Sequence, residues 1–573
     1  MGIIKDIFKK NKKDEHLWDK FYPKDKRKVE VPNMSLYEFI YEENKNRQDN
    51  IAINYFNRKW TYRDLFEQID LCAKAMRSQG IREGDVVSIC MANTPEAVIS
   101  FYATNKIGAI ANMIHPLSAE EEIKQSLEST KSVMLIAINI TYEKINNIID
   151  ETNIYKTVIV SPKDSMPQLL GIGYYILEDH KVKIPKSNEK YIRWGEFITK
   201  GQHYNSEVLV KTTKDQPAVI LHSGGTTGVP KNILLSNGNI NVVVRQASVS
   251  LPETDDSDKM LSILPMFHCF GLVETIHFPL GTGACVILVP KFDASRFDKL
   301  LNKYTPTIIP GVPTLFEALI KNKHMEQVDL SNVKYVVSGG DTLTEDKNLL
   351  VNEFLKKHHC HHNIVQGYGL SETSGGCVFA THGTDLLGSS GIPLVGNDLK
   401  IVDINTKEEL PVNQPGEIMI SGPSVMLGYL NNVEETNKVL EKDENGKIWV
   451  HTGDMGYLNQ DGILFFSQRI KRLIIVSGYN VFPSHIEDIL NKHEAILNSC
   501  VVGIPHPYKV QVPKAFIVLK EGYELNNKIK REIEDYCEKN LAKYMLPKEY
   551  VFRESLPKTM IGKVDYRKLE EEK

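Results

Sequence analysis

The sequence predicts an α/β protein, with a large part in which helices cover a mostly parallel sheet and a small α+β part near the C-terminus. From Trp60 onward, strand and helix patterns alternate for about a hundred residues, which favours parallel strands joined by helices. Near the C-terminus, strand patterns at 501–505 and 515–519 alternate with a helix pattern at 528–540. Several strand patterns also run into glycine-rich loops, as is typical of a nucleotide-binding crevice at the carboxyl edge of a sheet.

Local signals place the elements of the large part. Thr61 and Asp64 predict the capping box of a helix, and Ser118 and Glu121 predict another. Pro95 suits the first residue of a helix, because the N–H that proline lacks has no partner there. Short apolar runs predict strands at 86–91, 110–114, 133–138, 157–160 and 218–221.

Composition limits the classes of protein that the chain can belong to. It has 573 residues, 42% hydrophobic and 25% charged, which is enough for two or more domains. Its 69 basic and 73 acidic residues leave a net charge of -4, so composition does not support a nucleic-acid partner. The eight cysteines form no CxxC pair and fit reduced thiols better than a disulfide framework. With no signal peptide and no apolar run of transmembrane length, we expect a soluble, cytoplasmic protein.

The first ten residues mix apolar and basic side chains. Ile3, Ile4 and Phe8 stand among lysines, as in a short amphipathic turn that could touch an anionic membrane surface. A solvated tail is the alternative, and it is favoured because so short a helix is marginal on its own.

The segment richest in chemistry follows the strand pattern at 218–221. Glycines let backbone N–H groups approach an anion, hydroxyls add donors and a lysine adds charge, so the segment predicts a phosphate-binding loop. It differs from the Walker pattern, because Lys231 follows a proline and an extended stretch at 233–235 comes where a helix would begin. Its candidate ligands are Ser223, Gly224, Gly225, Thr226, Thr227, Gly228 and Lys231.

Three further segments place polar groups at predicted strand ends or beside aromatic residues. His268 stands among aromatic residues at 264–271, where a place in the core is the alternative to a place in a site. The segments 335–341 and 364–373 each read as a strand followed by a glycine loop. Their candidate residues are Gly339, Gly340, Asp341, Gly367, Tyr368, Gly369, Glu372 and Thr373.

Other polar residues allow two interpretations each. Asp454 is expected in a tight turn at 451–454, where it could bond ribose hydroxyls or hold the turn. The cluster at 358–362 has four histidines and a cysteine, but no second ligand set is nearby, so a metal site is disfavoured. Lys563 follows a glycine and by itself is an exposed basic residue.

Taken in order, the motifs resemble those of the AMP-forming acyl-CoA synthetase and ligase superfamily. They are SGGTTGVPK (223–231), LPMFHCFG (264–271), SGGD (338–341), QGYGLSET (366–373), HTGD (451–454), QR (468–469), SGYNVFPSHIE (477–487) and GK (562–563). The resemblance implies a tail at 1–30, an adenylate-forming domain at 31–468 and a mobile domain at 469–573, with the hinge at Lys471. Within the motif at 477–487, Ser484 and Glu487 also predict the capping box of a helix. Gln468 departs from the family pattern, in which glycine or aspartate is commoner there.

The resemblance also implies a reaction and roles for residues. A carboxylate attacks the α-phosphate of ATP, and a thiol, usually of coenzyme A, then displaces AMP. Mg²⁺ near Glu372 and the charge of Lys563 would offset the repulsion between the anions. By the same resemblance, the 223–231 loop and Thr373 bind phosphate, and Asp454 and Arg469 bind ribose or phosphate. The base is surrounded by Tyr368, Gly339, Gly340, Asp341, Gly367 and Gly369. His268 lines the acyl site, and Ser477, Gly478 and Tyr479 approach the pantetheine arm.

The identity of the acid depends on weaker signs. Trp18, Tyr22 and the segment 181–185 are similar to bacterial long-chain fatty acyl-CoA synthetases, so a medium- to long-chain fatty acid is preferred. Aryl or short-chain acids are rivals, as is a free-standing adenylation enzyme that loads a carrier protein. A degenerate nucleotide-binding relative is the non-enzyme alternative, and the presence of Lys563, Glu372 and Asp454 argues against it.

Overall fold

The computed structural model describes residues 16–177, 182, 184–223, 231–381, 383–476, 479–559 and 564–572. Its helices are α1 (Leu36–Asn44), α2 (Tyr62–Ser78), α3 (Pro95–Lys106), α4 (Glu120–Ser129), α5 (Tyr142–Ile148), α6 (Gln168–Leu177), α7 (Trp194–Gln202), α8 (Asn237–Ser250), α9 (Phe278–Thr282), α10 (Phe297–Tyr304), α11 (Pro313–Lys321), α12 (Glu345–Lys357), α13 (Val433–Val439), α14 (Pro483–Asn491), α15 (Asn527–Asn540) and α16 (Tyr566–Glu570). A π-helix, Phe270–His277, runs directly into α9.

The strands from the N-terminus to the middle of the chain are β1 (Ile51–Tyr55), β2 (Arg58–Thr61), β3 (Val86–Cys90), β4 (Ile110–Ile114), β5 (Met134–Ile138), β6 (Lys156–Val160), β7 (Tyr191–Arg193), β8 (Pro217–Ser223), β9 (Lys231–Ser236), β10 (Lys259–Ser262), β11 (Cys285–Leu288), β12 (Ile308–Gly311) and β13 (Tyr335–Ser338). Those that follow are β14 (Ile364–Leu370), β15 (Gly375–Phe379), β16 (Ile392–Pro393), β17 (Asp398–Val402), β18 (Gly416–Ser421), β19 (Gly428–Tyr429), β20 (Leu440–Lys442), β21 (Ile448–Leu458), β22 (Leu464–Arg469), β23 (Ile474–Val476), β24 (Tyr479–Val481), β25 (Ile496–His506), β26 (Val510–Leu519) and β27 (Glu549–Arg553).

Two large sheets form the body of the protein, as the alternation of elements predicts. Within the described residues, one has the order β19-β9-β8-β4-β3-β5-β6-β7 and the other β16-β15-β14-β13-β12-β10-β11-β1-β2. Strands β3 to β8 pair in parallel in the first sheet, and β1 and β10 to β14 pair in parallel in the second. Antiparallel strands occupy both edges of the second sheet and one edge of the first, so the prediction of mostly parallel, helix-covered sheets is confirmed.

A third, antiparallel sheet joins the large part to the chain's N-terminal segment. In the described residues it has the order β17-β18-β21-β20, with β22 paired to β21. The 3-10 turn Leu17–Phe21 packs here, with Trp18 and Tyr22 buried and the Tyr22 hydroxyl donating to the Pro393 carbonyl at 2.8 Å. From residue 16 onward, the segment expected as a tail over 1–30 is therefore packed on the protein. Met1–Lys10 lies outside the described residues.

The small α+β domain has its own sheet and core. Its described strands have the order β24-β23-β26-β25, with β27 beside β26. Ile486 and Leu490 of α14 pack with Ile533 and Cys537 of α15 against this sheet. In the part of the chain that the structure describes, none of the helices combines the length and apolarity needed to cross a bilayer.

Some helix starts were predicted correctly and others were shifted. Thr61 caps α2 and exchanges hydrogen bonds with Asp64, as expected. The predicted box at Ser118 is wrong by one residue, because the Glu122 carboxylate accepts from the Ala119 N–H and starts α4 there. Three successive glutamates made that register ambiguous in the sequence.

The predicted box at Ser484 is also wrong. Pro483 is the first residue of α14 and Phe482 its N-cap, which places Ser484 inside the helix. Ser484 and Glu487 make contacts outside α14 instead, to Gln468 and Arg472 respectively. A proline at the first position settled the start of this helix without a side-chain cap.

Two segments predicted as loops are strand. Gly367, Tyr368 and Gly369 lie inside β14, where they pair with β15, and the turn begins at Ser371. Asp454 lies inside β21 rather than in a tight turn, opposite Arg469 of β22. Both strands are irregular at these points, because the pairing register shifts beside Tyr368 and beside Met455.

Candidate functional site

The carboxyl ends of the parallel strands of the first sheet gather polar groups at one edge. Ser223 pairs with Lys231 across β8 and β9, so the lysine stands opposite the end of β8. On β8, next to Ser223, His222 Nε2 lies 2.7 Å from Asn112 Oδ1 and 3.1 Å from Ser126 Oγ. Burial lowers the pKa of His222 to about 4, so the ring is neutral at pH 7. Gly224, Gly225, Thr226, Thr227 and Gly228 lie outside the described residues.

A chain of contacts joins the lysine of this loop to the predicted metal ligand. Lys231 Nζ lies 2.6 Å from Glu435 Oε2 and 4.6 Å from the centre of the Tyr429 ring. The Tyr429 hydroxyl donates to Glu372 Oε1 at 2.9 Å. Burial, followed by the Glu372 carboxylate, raises the pKa of Tyr429, so the phenol stays neutral and donates. The structure thus brings Lys231 and Glu372 to the same tyrosine, with Lys231 over its ring and Glu372 at its hydroxyl.

A second group of contacts involves the residues that are expected to bind the adenine base and the ribose. The Tyr368 hydroxyl donates to Asp454 Oδ2 at 2.8 Å, and the Tyr368 ring packs on Phe466 with the ring centres 5.8 Å apart. Arg469 Nε lies 2.9 Å from Asp454 Oδ1. Asp454 is buried, and these contacts hold its carboxylate where β14, β21 and β22 converge. The structure therefore brings together three residues that lie far apart in the sequence.

Thr373 has a different setting from the one expected. Its side chain is fully buried, and Oγ1 accepts from the Leu370 N–H at 3.1 Å and lies 3.0 Å from the Gly375 carbonyl. The hydroxyl thus stabilises the turn Ser371–Thr373 that presents Glu372. A contact between this hydroxyl and a phosphate would require that turn to open.

His268 lies just before the π-helix Phe270–His277. It is half-buried, and its backbone N–H donates to the Pro265 carbonyl at 3.0 Å. Phe270, on the following π-helix, packs so closely on Gly339 that a Cβ there would lie 2.9 Å from the ring. Gly340 has φ 78°, which glycine adopts without strain. The glycine turn with Asp341 and the aromatic segment of His268 are therefore neighbours.

One buried carboxyl group in this region was missed from the sequence. Glu274 Oε1 accepts from the Gly376 N–H at 2.5 Å, whereas Oε2 is buried and has no hydrogen-bond partner among the described residues. Gly375 has φ 102°, and a Cβ there would lie 2.0 Å from Oε1, so glycine is needed beside the carboxyl. Burial raises the pKa of Glu274 to about 8, so the group is mostly protonated at pH 7. Glu274 belongs to the π-helix that follows His268, and its carboxyl packs against β15, the strand that follows Glu372.

The predicted hinge lies between two anchored arginines. Lys471 is in a 3-10 turn, Ile470–Arg472, that links β22 to the small domain. On one side, Arg469 is paired with Asp454. On the other, Arg472 forms an ion pair with Glu487 of α14 and donates to the Val501 carbonyl at 3.3 Å.

Gln468 links the same junction to the small domain. Its Oε1 accepts from the backbone N–H of Ser484 at 3.2 Å and from its hydroxyl at 3.1 Å. The departure from the family pattern at this position therefore has a structural consequence, because a glycine could not make these bonds to the start of α14.

Several cations converge beside the hinge. Burial lowers the pKa of Lys471, and the charges of Lys231, Arg567 and Arg469 contribute to the lowering. Glu435 acts in the opposite direction. Lys231 and Arg469 are also paired with Glu435 and Asp454, so cations and carboxylates alternate beside the predicted hinge.

Other predicted residues are outside this group or outside the described chain. Lys563, Ser477 and Gly478 lie outside the described residues, and Tyr479 begins β24. Within the cluster at 358–362, His358 Nδ1 bonds the Val328 carbonyl and His362 stacks on Tyr335. Among the described residues, no group of three or more His, Cys, Asp or Glu is placed to hold a metal ion.

The residues that sequence reasoning missed are Tyr429, Glu435, Glu274 and Arg472. Tyr429 and Glu435 lie in GYLNNVEE, a segment that follows a buried strand and a turn and carries no strong local signal. Glu274 had a usable signal, because it is the one acidic residue in a largely apolar segment at 269–280. Such a residue in a buried segment is a candidate for a functional site.

Comparisons with known proteins identify the family of the chain. The model of the AMP-binding enzyme family matches residues 40–430, and the model of the AMP-binding enzyme C-terminal domain matches residues 485–563. The chain is 31% identical over 563 residues to a long-chain-fatty-acid–CoA ligase of Bacillus subtilis strain 168, covering 97% of this chain and 98% of the relative.

Two further similarities span almost the whole chain. It is 29% identical over 538 residues to a probable 4-coumarate–CoA ligase 2 of Dictyostelium discoideum, covering 93% of this chain and 94% of the relative. The crystal structure of ATP-bound MatB from Rhodopseudomonas palustris is similar with a TM-score of 0.81 at 21% identity, covering 93% of this chain and 98% of that one. At that identity the similarity establishes a shared fold, with a large domain and a smaller C-terminal α+β domain.

Proposed function

Because the chain belongs to the family of AMP-binding enzymes, we propose that it joins a carboxylic acid to coenzyme A at the expense of ATP. In the first step a carboxylate oxygen bonds to the α-phosphorus of ATP and pyrophosphate leaves. In the second step the thiolate of coenzyme A bonds to the acyl carbon and AMP leaves. The observation that carries the proposal is the convergence of Tyr368, Asp454 and Arg469 on one side and Lys231 and Glu372 on the other.

The described residues fit a nucleoside triphosphate. We propose that the adenine packs near the Tyr368 ring, beside the glycine turn at 339–341, and that Asp454 accepts hydrogen bonds from the ribose. Lys231, Arg469 and Lys471 would then lie along the phosphates, whose charge offsets their mutual repulsion. The loop at 224–230 and Lys563 are assigned to the phosphates by resemblance.

The residues also fit a Mg²⁺ ion bound mainly by phosphate. Mg²⁺ is usually held by one or two carboxylates together with substrate phosphates and water, rather than by a cage of protein ligands. Glu372 supplies such a carboxylate, oriented by the Tyr429 hydroxyl. The bound ion would neutralise developing charge on the phosphates.

We propose that the small domain moves between the two steps about Lys471, and that the boundary lies at 468/469. The arginines on either side are anchored to different domains, so the backbone at Lys471 is the place where a rotation would be absorbed. Ser477, Gly478 and Tyr479 would approach the pantetheine arm after that rotation. The eight cysteines are free, which supports a reducing, cytoplasmic location.

For the acid we propose a medium- to long-chain fatty acid. The support is the full-length similarity to a protein described as a long-chain-fatty-acid–CoA ligase. Each methylene buried in an apolar pocket contributes about 0.8 kcal/mol, so a deep pocket would select long chains.

Glu274 favours a second candidate, an acid that carries a hydroxyl group. The carboxyl is mostly protonated at pH 7, and because Oε1 accepts from the Gly376 N–H, Oε2 carries the proton and needs an acceptor. That oxygen is buried without a partner among the described residues, and it lies near the segment of His268 assigned to the acyl site. A hydroxyl on an aryl or hydroxylated acid would satisfy that oxygen, whereas a plain alkyl chain would not. The similarity to a probable 4-coumarate–CoA ligase also supports this candidate.

Release of pyrophosphate with a panel of acids tests the function and separates the candidates. The panel contains acetate, octanoate, palmitate, benzoate and 4-hydroxycinnamate, each with and without coenzyme A. We expect activity to rise with chain length to eight carbons or beyond, with benzoate a poor substrate. Preference for 4-hydroxycinnamate would select the second candidate, and preference for acetate would refute both. Pyrophosphate release that is followed by transfer to a carrier protein and not to coenzyme A would change the acceptor, and no release with any acid would favour a non-enzyme.

A further inference from the structure

Strand β21 contains a bulge that includes Asp454. Where β21 pairs with β18, the residues 452–454 stand opposite the single residue Ile418. A bulge interrupts the regular pairing of two strands and changes the direction in which a side chain points. The direction of the Asp454 carboxylate therefore depends on the groups that hold this bulge.

Two side chains bond to the backbone of the bulge. The Thr452 hydroxyl donates to the Ile418 carbonyl at 2.6 Å and accepts from the Asp454 N–H at 3.1 Å. Glu417 Oε1 accepts from the Gly453 N–H at 3.3 Å. Gly453 has φ 67°, which glycine adopts without strain. Glu417 of β18 is therefore attached to the backbone one residue before Asp454.

The Glu417 carboxylate is buried and is held by two cations. Its Oε2 accepts from Lys407 Nζ at 3.0 Å and lies 3.1 Å from His451 Nδ1. The other ring nitrogen of His451, Nε2, lies 2.9 Å from Oε2 of Glu441 on β20. Ionised carboxylates only accept hydrogen bonds, so both nitrogens of His451 carry a proton and the ring is an imidazolium.

The pKa values of these groups agree with that protonation state. The bond to Glu417 raises the pKa of His451 above its ordinary value of 6.5, although burial opposes it, and the bond to Glu441 acts in the same direction. Burial by itself would raise the pKa of Glu417, but the bonds from His451 and Lys407 bring it below its ordinary value. Loss of the His451 proton would turn a ring lone pair toward a carboxylate. The arrangement is therefore complete below the pKa of His451 and is weakened as the pH rises through it.

We infer that Glu417 is a positioning residue for Asp454, and that the imidazolium of His451 and the ammonium of Lys407 hold Glu417 at the bulge. Glu417 acts through the backbone of Gly453 and not on the nucleotide itself. The inference rests on the proposed role of Asp454, which is to accept hydrogen bonds from the ribose. It follows that selection for ribose hydroxyls depends on Glu417 and weakens at high pH.

The preference for ATP over dideoxy-ATP, which lacks both free ribose hydroxyls, tests the inference. The two nucleotides carry the same phosphates, so the ratio of their kcat/KM values in pyrophosphate release cancels the ionisation of the phosphates. The test variants are Glu417→Gln and His451→Gln. Glu408→Gln is the matched control, because Glu408 is an exposed glutamate beside Lys407 in the sequence. Thermal melts establish that each variant is folded, and the pH series of His451→Gln decides if Glu417→Gln does not fold.

We expect the wild type to prefer ATP by roughly tenfold or more, since a buried carboxylate loses hydrogen bonds when the ribose hydroxyls are absent. Glu417→Gln should reduce this preference by about fivefold or more, because the neutral amide no longer binds both cations and the bulge together. The control should keep the preference of the wild type. Between about pH 6 and pH 9 the preference of the wild type should fall, whereas that of His451→Gln should stay constant.

An unchanged preference in folded Glu417→Gln would overturn the inference, as would a loss of activity that is equal for the two nucleotides. A wild-type preference that does not vary with pH would overturn the role of His451. No preference in the wild type would refute the proposed role of Asp454 at the ribose, which distinguishes that failure from a failure of Glu417 to position it.

Discussion

Arg469 Nε lies 2.9 Å from Asp454 Oδ1, and this pair attaches the last residue of β22 to the large domain. Three residues later, Arg472 is paired with Glu487 of the small domain. The chain between the two arginines is a single 3-10 turn that contains Lys471. On the proposed domain rotation, this turn is where the backbone change would be absorbed.

Lys471→Pro is expected to separate the two half-reactions. Proline fixes φ near −65°, which a 3-10 turn tolerates, but it prevents the larger backbone change that a rotation requires. We expect acyl-adenylate formation to persist, measured as pyrophosphate release in a single turnover, and transfer to coenzyme A to fall roughly tenfold or more. Lys471→Ala is the control, since it removes the side chain and leaves φ free. Equal losses in both half-reactions would remove the hinge from this position.

Lys563→Ala is expected to affect the opposite half-reaction. Loss of one positioned cation at a transition state costs about 3–4 kcal/mol, which is a few hundredfold in rate. Adenylate formation should fall by that amount, while thioester formation from supplied acyl-adenylate should change little. Lys558→Ala, an exposed lysine of the same segment, is the control and should resemble the wild type. If both half-reactions fall alike, Lys563 has another role.

Glu435→Gln is expected to tighten ATP binding. Lys231 must leave Glu435 before it can reach a phosphate, so the ion pair competes with the nucleotide. The bond to Lys231, and then the bond to Lys438, lowers the pKa of Glu435 to about 2, so the competing charge is present throughout the physiological range.

The KM for ATP in pyrophosphate release should fall about twofold to fivefold at low ionic strength and less at high salt. Glu434→Gln is the matched control, because Glu434 pairs with Lys438. An increased KM would mean that Glu435 positions Lys231 instead of competing for it.

Glu274→Gln is expected to change how stability depends on pH. Burial raises the pKa of this carboxyl from 4.5 to about 8, so between these values the folded state holds a proton that the unfolded state releases. The contribution of Glu274 to the free energy of unfolding is therefore fully present below pH 4.5 and is lost as the pH rises to about 8. Glutamine stays neutral, so the variant should match the wild type at pH 5 and exceed its free energy of unfolding by about 2–4 kcal/mol at pH 8.

Urea unfolding of both proteins at pH 5 and pH 8 measures this difference. Comparing the variant with the wild type cancels the contribution of Glu96, a second buried carboxyl whose pKa burial raises to about 7. Glu444→Gln, at an exposed position, should show no such pH dependence. A constant difference between Glu274→Gln and the wild type would indicate that Glu274 is ionised in the folded protein.

Local patterns predicted many elements, because the interactions that form them lie within a few residues. The exchange between Thr61 and Asp64 is made within one helical turn, so two residues sufficed to predict the start of α2. The same reasoning placed Pro95 at the start of α3 and predicted β4 to the residue. It failed at Ser118 and Ser484, where a neighbouring glutamate or proline determined the start of the helix.

The sequence by itself determined the fold class, the order of motifs and the identity of the polar residues at the ends of strands. Only the tertiary structure decided which of them meet. Tyr429 reaches Glu372 across 57 residues and Tyr368 reaches Asp454 across 86, and such contacts depend on strand order and register that no local pattern encodes. For the same reason Gly367–Gly369 proved to be strand, since β15 supplied partners for their backbone groups. Glu274 became a buried carboxyl because the glycines of β15 pack against it.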